Sequence, residues 1–99
     1  MAGLAFEWDE AKDASNRAKH GVSFGEASTV FTDPRALVID DPDHSIVEER
    51  FIIMGMSGTM RVLVVAHCYR ERQGIIRLIS ARKATTRETQ TYGQGRRGD

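Results

Sequence analysis

Three arginines and a lysine, Arg61, Arg77, Arg82 and Lys83, are the side chains best placed in this sequence to hold an anion. Arg77, Arg82 and Lys83 lie in the run Ile75-Ile76-Arg77-Leu78-Ile79-Ser80-Ala81-Arg82-Lys83, an apolar strand studded with cations. A guanidinium among apolar neighbours is costly unless it is paired. Arg77 is therefore expected either to clamp a phosphate through two parallel N–H bonds or to bind Glu48 or Glu49 on a neighbouring strand. Arg82 and Lys83 suit a phosphate, plain solvation or an acidic partner segment. Arg61 suits an anion or the flank of a turn. His67 is the best candidate for acid or base, because imidazole titrates near neutral pH. Its other reading is a core histidine bonded to backbone. Glu49 can act as a base, orient Arg77, or be plain solvated charge at a strand start. Tyr69, at a strand end, is a candidate for stacking on a nucleobase. Trp8 reads as a core anchor, and His44 as a residue of an acidic turn.

Formal net charge is zero, but its distribution is uneven. Residues 1–60 hold five Lys or Arg against eleven Asp or Glu, a balance of −6. Residues 61–99 hold nine against three, a balance of +6. Such asymmetry points to a polyanionic partner, nucleic acid foremost. The histidines at 20, 44 and 67 have no metal-ligand spacing, and neither a P-loop nor a G-x-S-x-G elbow is present. Lone Cys68 excludes an internal disulfide and suits a reducing compartment. With no signal-peptide pattern at the N-terminus and no stretch near the ~20 apolar residues of a membrane helix, the expected location is the cytoplasm.

These side chains need elements to position them. Ala5 to Trp8 reads as an edge or first strand. Asp9 caps a helix over Glu10–His20 that Gly21 stops, with Lys19 and His20 at the negative end of its dipole. Ser23 and Glu26 read as a capping box for a second helix over Phe24–Phe31, ended by Asp33-Pro34. Strands follow at Ala36–Asp40, Glu49–Gly55, Arg61–Tyr69 and Ile75–Arg82, with short links that favour an antiparallel meander. The Arg61–Tyr69 strand is apolar on both sides in its middle and belongs at the centre of the sheet. Alternation places Arg61 and His67 on one face of it. Thr85 and Glu88 form a second capping box, for a short helix over Thr86–Tyr92. The expected fold is α+β: two N-terminal helices on an antiparallel sheet of about four strands, with a short C-terminal helix. One domain spans residues 1–92, and 93–99 is a Gly/Arg-rich tail expected to be disordered.

Placed in this order, the motifs resemble a known family. Phe6-Glu7-Trp8-Asp9, Lys12, Asn16, Lys19-His20-Gly21-Val22-Ser23-Phe24 and Glu26-Ala27 resemble the opening of the BrnT family, also known as DUF497. Val30-Phe31 with Asp33-Pro34, His44-Ser45 with Glu48-Glu49-Arg50, and Ile79-Ser80-Ala81-Arg82-Lys83-Ala84 continue the likeness. The resemblance implies a RelE-like fold and a ribonuclease toxin of a type II toxin–antitoxin pair that arrests translation. It implies a BrnA-like antitoxin with a ribbon–helix–helix DNA-binding part, a 2:2 heterotetramer and repression of the pair's own operon. It also draws Lys19 in as a candidate for contact with phosphate.

RNA can be cut by its own 2′-hydroxyl, which needs a base, an acid and cations around the phosphate, but no metal or other cofactor. The expected set is His67, Arg61, Arg77, Arg82 and Glu49 for chemistry, and Lys19, Arg50, Lys83 and Tyr69 for RNA contact. The expectation is that Arg61, Arg77 and Arg82 line one groove. Two other readings of the residues stay open. One is a non-enzymatic nucleic-acid or partner-binding module, and the other is a scaffold for an acidic partner.

Overall fold

A computed structural model describes residues 4–40, 49–70 and 74–94. They form β1 (Ala5–Glu7), α1 (Glu10–His20), α2 (Phe24–Thr29), a 3-10 turn (Val30–Thr32), β2 (Leu37–Asp40), β3 (Phe51–Met56), β4 (Val62–Arg70), β5 (Ile75–Lys83) and α3 (Thr86–Gln94). Residues 1–3, 41–48 (His44 and Glu48 among them), 71–73 and 95–99 lie outside the described residues, and Gly93 and Gln94, expected in a disordered tail, instead close α3.

Local signals place the helices. The Asp9 side chain accepts from Ala11 N and Lys12 N at the start of α1, and Gly21 stops it with φ 69°. Ser23 caps α2 by accepting from Glu26 N, while Asp13 Oδ1 accepts from Phe24 N at 2.8 Å. The Ser23 capping box is only half made, because the Glu26 carboxylate turns to Arg61, Ser57 and Thr59 instead. The box of α3 is made in full: Glu88 N donates to Thr85 Oγ1, and Glu88 Oε1 accepts from Thr85 N.

The sheet has the order β1-β5-β4-β3-β2. The β2 to β5 pairings form the expected antiparallel meander, with β4 at the centre. The count of about four strands needs one correction. β1 joins as a fifth strand, parallel to β5, pairing Ala5–Glu7 with Ile75–Arg77. A parallel neighbour needs a long crossover, and here the chain passes through both N-terminal helices before β5 forms.

One face of the sheet packs under α1 and α2. Its core holds Val22, Phe24, Ala27 and Val30 against Ile53, Leu63, Val65, Ile76, Leu78 and Ala81, all buried. Gly55 lets the 3-10 turn close on β3: a Cβ there would stand 2.9 Å from Ala36 Cβ and 3.0 Å from Val30 Cγ1. Among the described residues, no helix covers the opposite face at the β1 end. At the other end, Glu88 and Thr91 of α3 stand over Leu37, Ile39, Ile52, Met54 and Val64, leaving a cleft of roughly 270 Å³. Tyr92 ties α3 down by donating to Asp33 Oδ2 at 2.6 Å.

A one-residue irregularity in β5 sets the faces of its cations. Ala66 pairs with Ser80 and His67 with Leu78, so Ile79 has no partner on β4 and forms a bulge. Positions 77 and 82 differ by an odd number and would point to opposite faces of a regular strand. The extra residue restores phase: Arg77 pairs with Cys68 and Arg82 with Val64, residues on one side of β4.

Candidate active site

On the open face, Glu7 stands opposite Arg77 across the β1–β5 pair. Its Oε2 accepts from Arg77 Nη1 at 2.9 Å and lies 3.2 Å from Arg70 Nε. Arg70 reaches it from the end of β4, diagonally across β5. All three are partly exposed: Glu7 by 32%, Arg77 by 35% and Arg70 by 55% of their side-chain surface. Two guanidiniums share one carboxylate, which leaves an excess positive charge at a solvent-facing spot. A phosphodiester, with its single negative charge, would bring the group to neutrality. Chemically the cluster offers a carboxylate that can take a proton beside two donors for charge on phosphorus.

The other expected residues do not converge there. Arg61 lies on the helix-covered side, where its guanidinium donates to both Glu26 oxygens and to Gly21 O. Arg82 shares the open face with Arg77 but sits at the α3 end, bidentate to Glu88 at 2.8 and 2.9 Å. The three arginines therefore do not line one groove, and each is held by a carboxylate. Arg77 is held by Glu7 rather than by Glu49, and Glu48 lies outside the described residues. His67 does share a face with Arg61, but that face carries the helices, and the imidazole is fully buried. Phe31 stands edge-on to it at 4.7 Å, with Phe51 and Tyr69 beside it. Its Nδ1 is 3.3 Å from Val65 O and its Nε2 3.4 Å from the Tyr69 hydroxyl. Burial pushes its pKa down, against the Val65 bond that raises it. The geometry is that of a neutral core imidazole. Tyr69 is half exposed at the rim of this cluster. Glu49 is exposed and Arg50 half-buried just ahead of β3, Lys83 is exposed at the end of β5, and Lys19 is exposed on α1.

Two carboxylates are strongly perturbed. Arg61 hydrogen-bonding holds Glu26 at about 2 against an ordinary 4.5, burial opposes it, and the Thr59 and Ser57 hydroxyls help. Arg82 likewise holds Glu88 at about 2, over the opposing effect of burial. Depressed folded-state values mean that these bonds stabilise the protein fully above pH 4.5 and lose that contribution as pH falls toward 2. The urea midpoint is accordingly expected to drop between pH 5 and pH 3, and Glu26→Gln to lessen that drop. Equal pH dependence in wild type and Glu26→Gln would contradict it.

A sequence profile described as the ribonuclease toxin BrnT of type II toxin–antitoxin systems matches residues 8–88. The chain belongs to the BrnT family. It is thus a BrnT ribonuclease toxin, and a type II toxin has an antitoxin partner. The fold is similar to the 1.1 Å crystal structure of the Brucella abortus ribonuclease toxin BrnT, with TM-score 0.66 and 22% identity over 85% of this chain and all of that one. No curated protein sequence matches. Among the described residues, no helix is long and apolar enough to cross a membrane.

Within this BrnT chain, reasoning along the sequence missed Glu7 and Arg70. Glu7 lies inside the Phe6-Glu7-Trp8-Asp9 motif but takes on meaning only when β1 pairs with β5, 70 positions away. Arg70 reads as the first residue of a polar turn, whereas β4 extends through it. The available signal was the alternation of Phe6 and Glu7, inward and outward, on a strand ending beside a cationic one.

Proposed function

We propose that this BrnT toxin cuts RNA without a metal, by attack of the 2′-hydroxyl on the adjacent phosphate at Glu7, Arg70 and Arg77. Glu7 takes the 2′ proton. Arg70 and Arg77 bind the non-bridging oxygens and stabilise the charge that grows on them. Water protonates the leaving 5′ oxygen. One observation carries this reading: a single carboxylate oxygen holds two partly exposed guanidiniums on the uncovered face of the sheet. Arg61 and His67 act through the fold, bracing the helices and the aromatic cluster. Tyr69 and Arg50 contact RNA at the rim, and Glu49 shapes the charge there. Arg82 and Lys83 serve RNA or partner contact.

The antitoxin covers the open face in the cytoplasm, reaching Arg77, Arg82, Lys83 and α3. The exposed Ile39 of β2, in the lining of the apolar cleft under α3, supports this placement, since such apolar surface favours burial by a partner. A 2:2 complex that binds operator DNA through a ribbon–helix–helix antitoxin fits the family.

The test is cleavage of a defined RNA by purified toxin in excess chelator. Cleavage is expected to proceed at the same rate with and without chelator, and to vanish when the 2′-hydroxyl at the cut is replaced by hydrogen. Loss of cutting in chelator, restored by magnesium, would overturn the reading. RNA that is bound but never cut would favour a binding module.

A further inference from the structure

A second cationic feature lies on the flank of β5, away from the Glu7 cluster. A cleft of roughly 200 Å³ opens between α1 and β5, lined by Lys12, Ser15, Asn16, Lys19, His20, Ile79 and Ser80. It exists because β1 pairs with β5 only as far as Arg77. Beyond that point β5 has no strand on this side. Asn16 stands in for one at Ala81, accepting from its N–H at 3.1 Å and donating to its carbonyl at 2.8 Å. The bulge residue Ile79 and the exposed Ser80 line the cleft at this edge.

The lining is unusual for a helix lying against a sheet. Lys12, Ser15, Asn16 and Lys19 follow helical spacing, so the stripe turned to β5 is polar where an apolar one is the norm. Neither Lys12 nor Lys19 has an ion-pair partner among the described residues, in contrast to Arg61, Arg70, Arg77 and Arg82. The helix dipole accounts for Lys19 and His20 in the last turn. It does not account for Lys12, which sits in the first turn, where positive charge is disfavoured. Two ammonium groups without an ion-pair partner among the described residues, with the His20 imidazole beside them, suit a phosphate.

We propose that this cleft is a second RNA subsite, which binds a backbone phosphate flanking the scissile one. The inference rests on the open-face cluster being the cutting site. With the bulge at Ile79 discounted, Ser80 lies two ladder positions along the sheet from Arg77, about 7 Å at strand rise, so one extended RNA strand can lie across both. Lys12 and Lys19 thus hold the substrate, and Arg70 and Arg77 act on it.

The experiment is equilibrium binding of a fully 2′-O-methylated, uncleavable RNA to the purified toxin over a salt series. The Lys12→Ala/Lys19→Ala protein is expected to bind at least tenfold more weakly at low salt. Its slope of log K against log salt should shrink by about 1.4, the value for two lost single-strand phosphate contacts. Arg17→Ala, which removes an α1 cation paired with Asp13 outside the cleft, serves as the control and should bind as wild type does. Lys12→Arg/Lys19→Arg should recover most of the affinity. Unchanged affinity and slope in the double alanine protein would overturn the subsite, even with cleavage intact in wild type. So would a loss of antitoxin binding without a loss of RNA binding. Weaker RNA binding by the double variant, from a wild-type protein that never cuts RNA, would retain the cleft as a phosphate site and reject the cutting reading alone.

Discussion

Replacing Arg77 by alanine is expected to slow RNA cleavage by about 10²–10³-fold while leaving the protein folded. Removing one donor that acts on developing charge costs about that much in a site built for it. Arg77 is the cation with the shortest bond to Glu7 and the more buried of the two guanidiniums there. Its ion pair is partly exposed, and such pairs are worth only about 0–1 kcal/mol to stability. Activity and stability therefore separate at this residue. Glu7→Gln keeps the shape of the side chain and removes its ability to take a proton, so a loss of about 10²–10⁴ is expected there. Arg82→Ala is the comparison. Its guanidinium is occupied by Glu88 at the far end of the sheet, and a smaller loss follows. Single-turnover cleavage of an end-labelled RNA, read beside a urea unfolding curve for each protein, checks all three. A folded Arg77→Ala protein cutting at the wild-type rate would remove this residue from the chemistry.

The largest effect on stability is expected at Phe24. The ring is fully buried at the start of α2, edge-on to Trp8 with centroids 6.1 Å apart. It sits where both N-terminal helices meet the sheet, in one cluster with Val22, Leu63 and Leu78. Its backbone N–H is held by Asp13, so the site cannot collapse freely onto a vacancy. Phe24→Ala should cost about 3–5 kcal/mol, a large share of the roughly 5–15 kcal/mol available to a domain of this size. Trp8 is the one tryptophan in the chain and lies against the altered position, so its fluorescence reports the transition. A urea midpoint within error of wild type would show that the core does not centre on this ring.

Much of the fold is legible because its signals are local. Asp9, Gly21, Ser23 and Thr85 mark helix ends through bonds made within a few residues. The two-sided apolar run of β4 marks the centre of the sheet. The site is less legible because its geometry is non-local. Glu7 meets Arg77 only through a parallel pairing that spans nearly the whole chain, and three strand residues carry almost no pattern of their own. Arg77 and Arg82 share a face because of the bulge at Ile79, which no alternation rule reveals. His67 lies on the strand face that alternation assigns it, but the helices cover that face, and an imidazole reads alike along the sequence whether it is buried or open. Arg61 and Arg82 are held by Glu26 and Glu88, partners that the positions of the two arginines along the chain do not announce. Lys12 and Lys19 line a cleft that needs both α1 and the edge of β5 to exist.

Which oxygen attacks phosphorus is read most directly from the chemistry of the RNA ends left by purified toxin. Mass spectrometry of the products is predicted to find a 2′,3′-cyclic phosphate, or the monophosphate from its opening, on one fragment and a free 5′-hydroxyl on the other, with both lost in Glu7→Gln. Fragments bearing a 5′-phosphate and a 3′-hydroxyl would mean that water attacks instead, and would contradict the account.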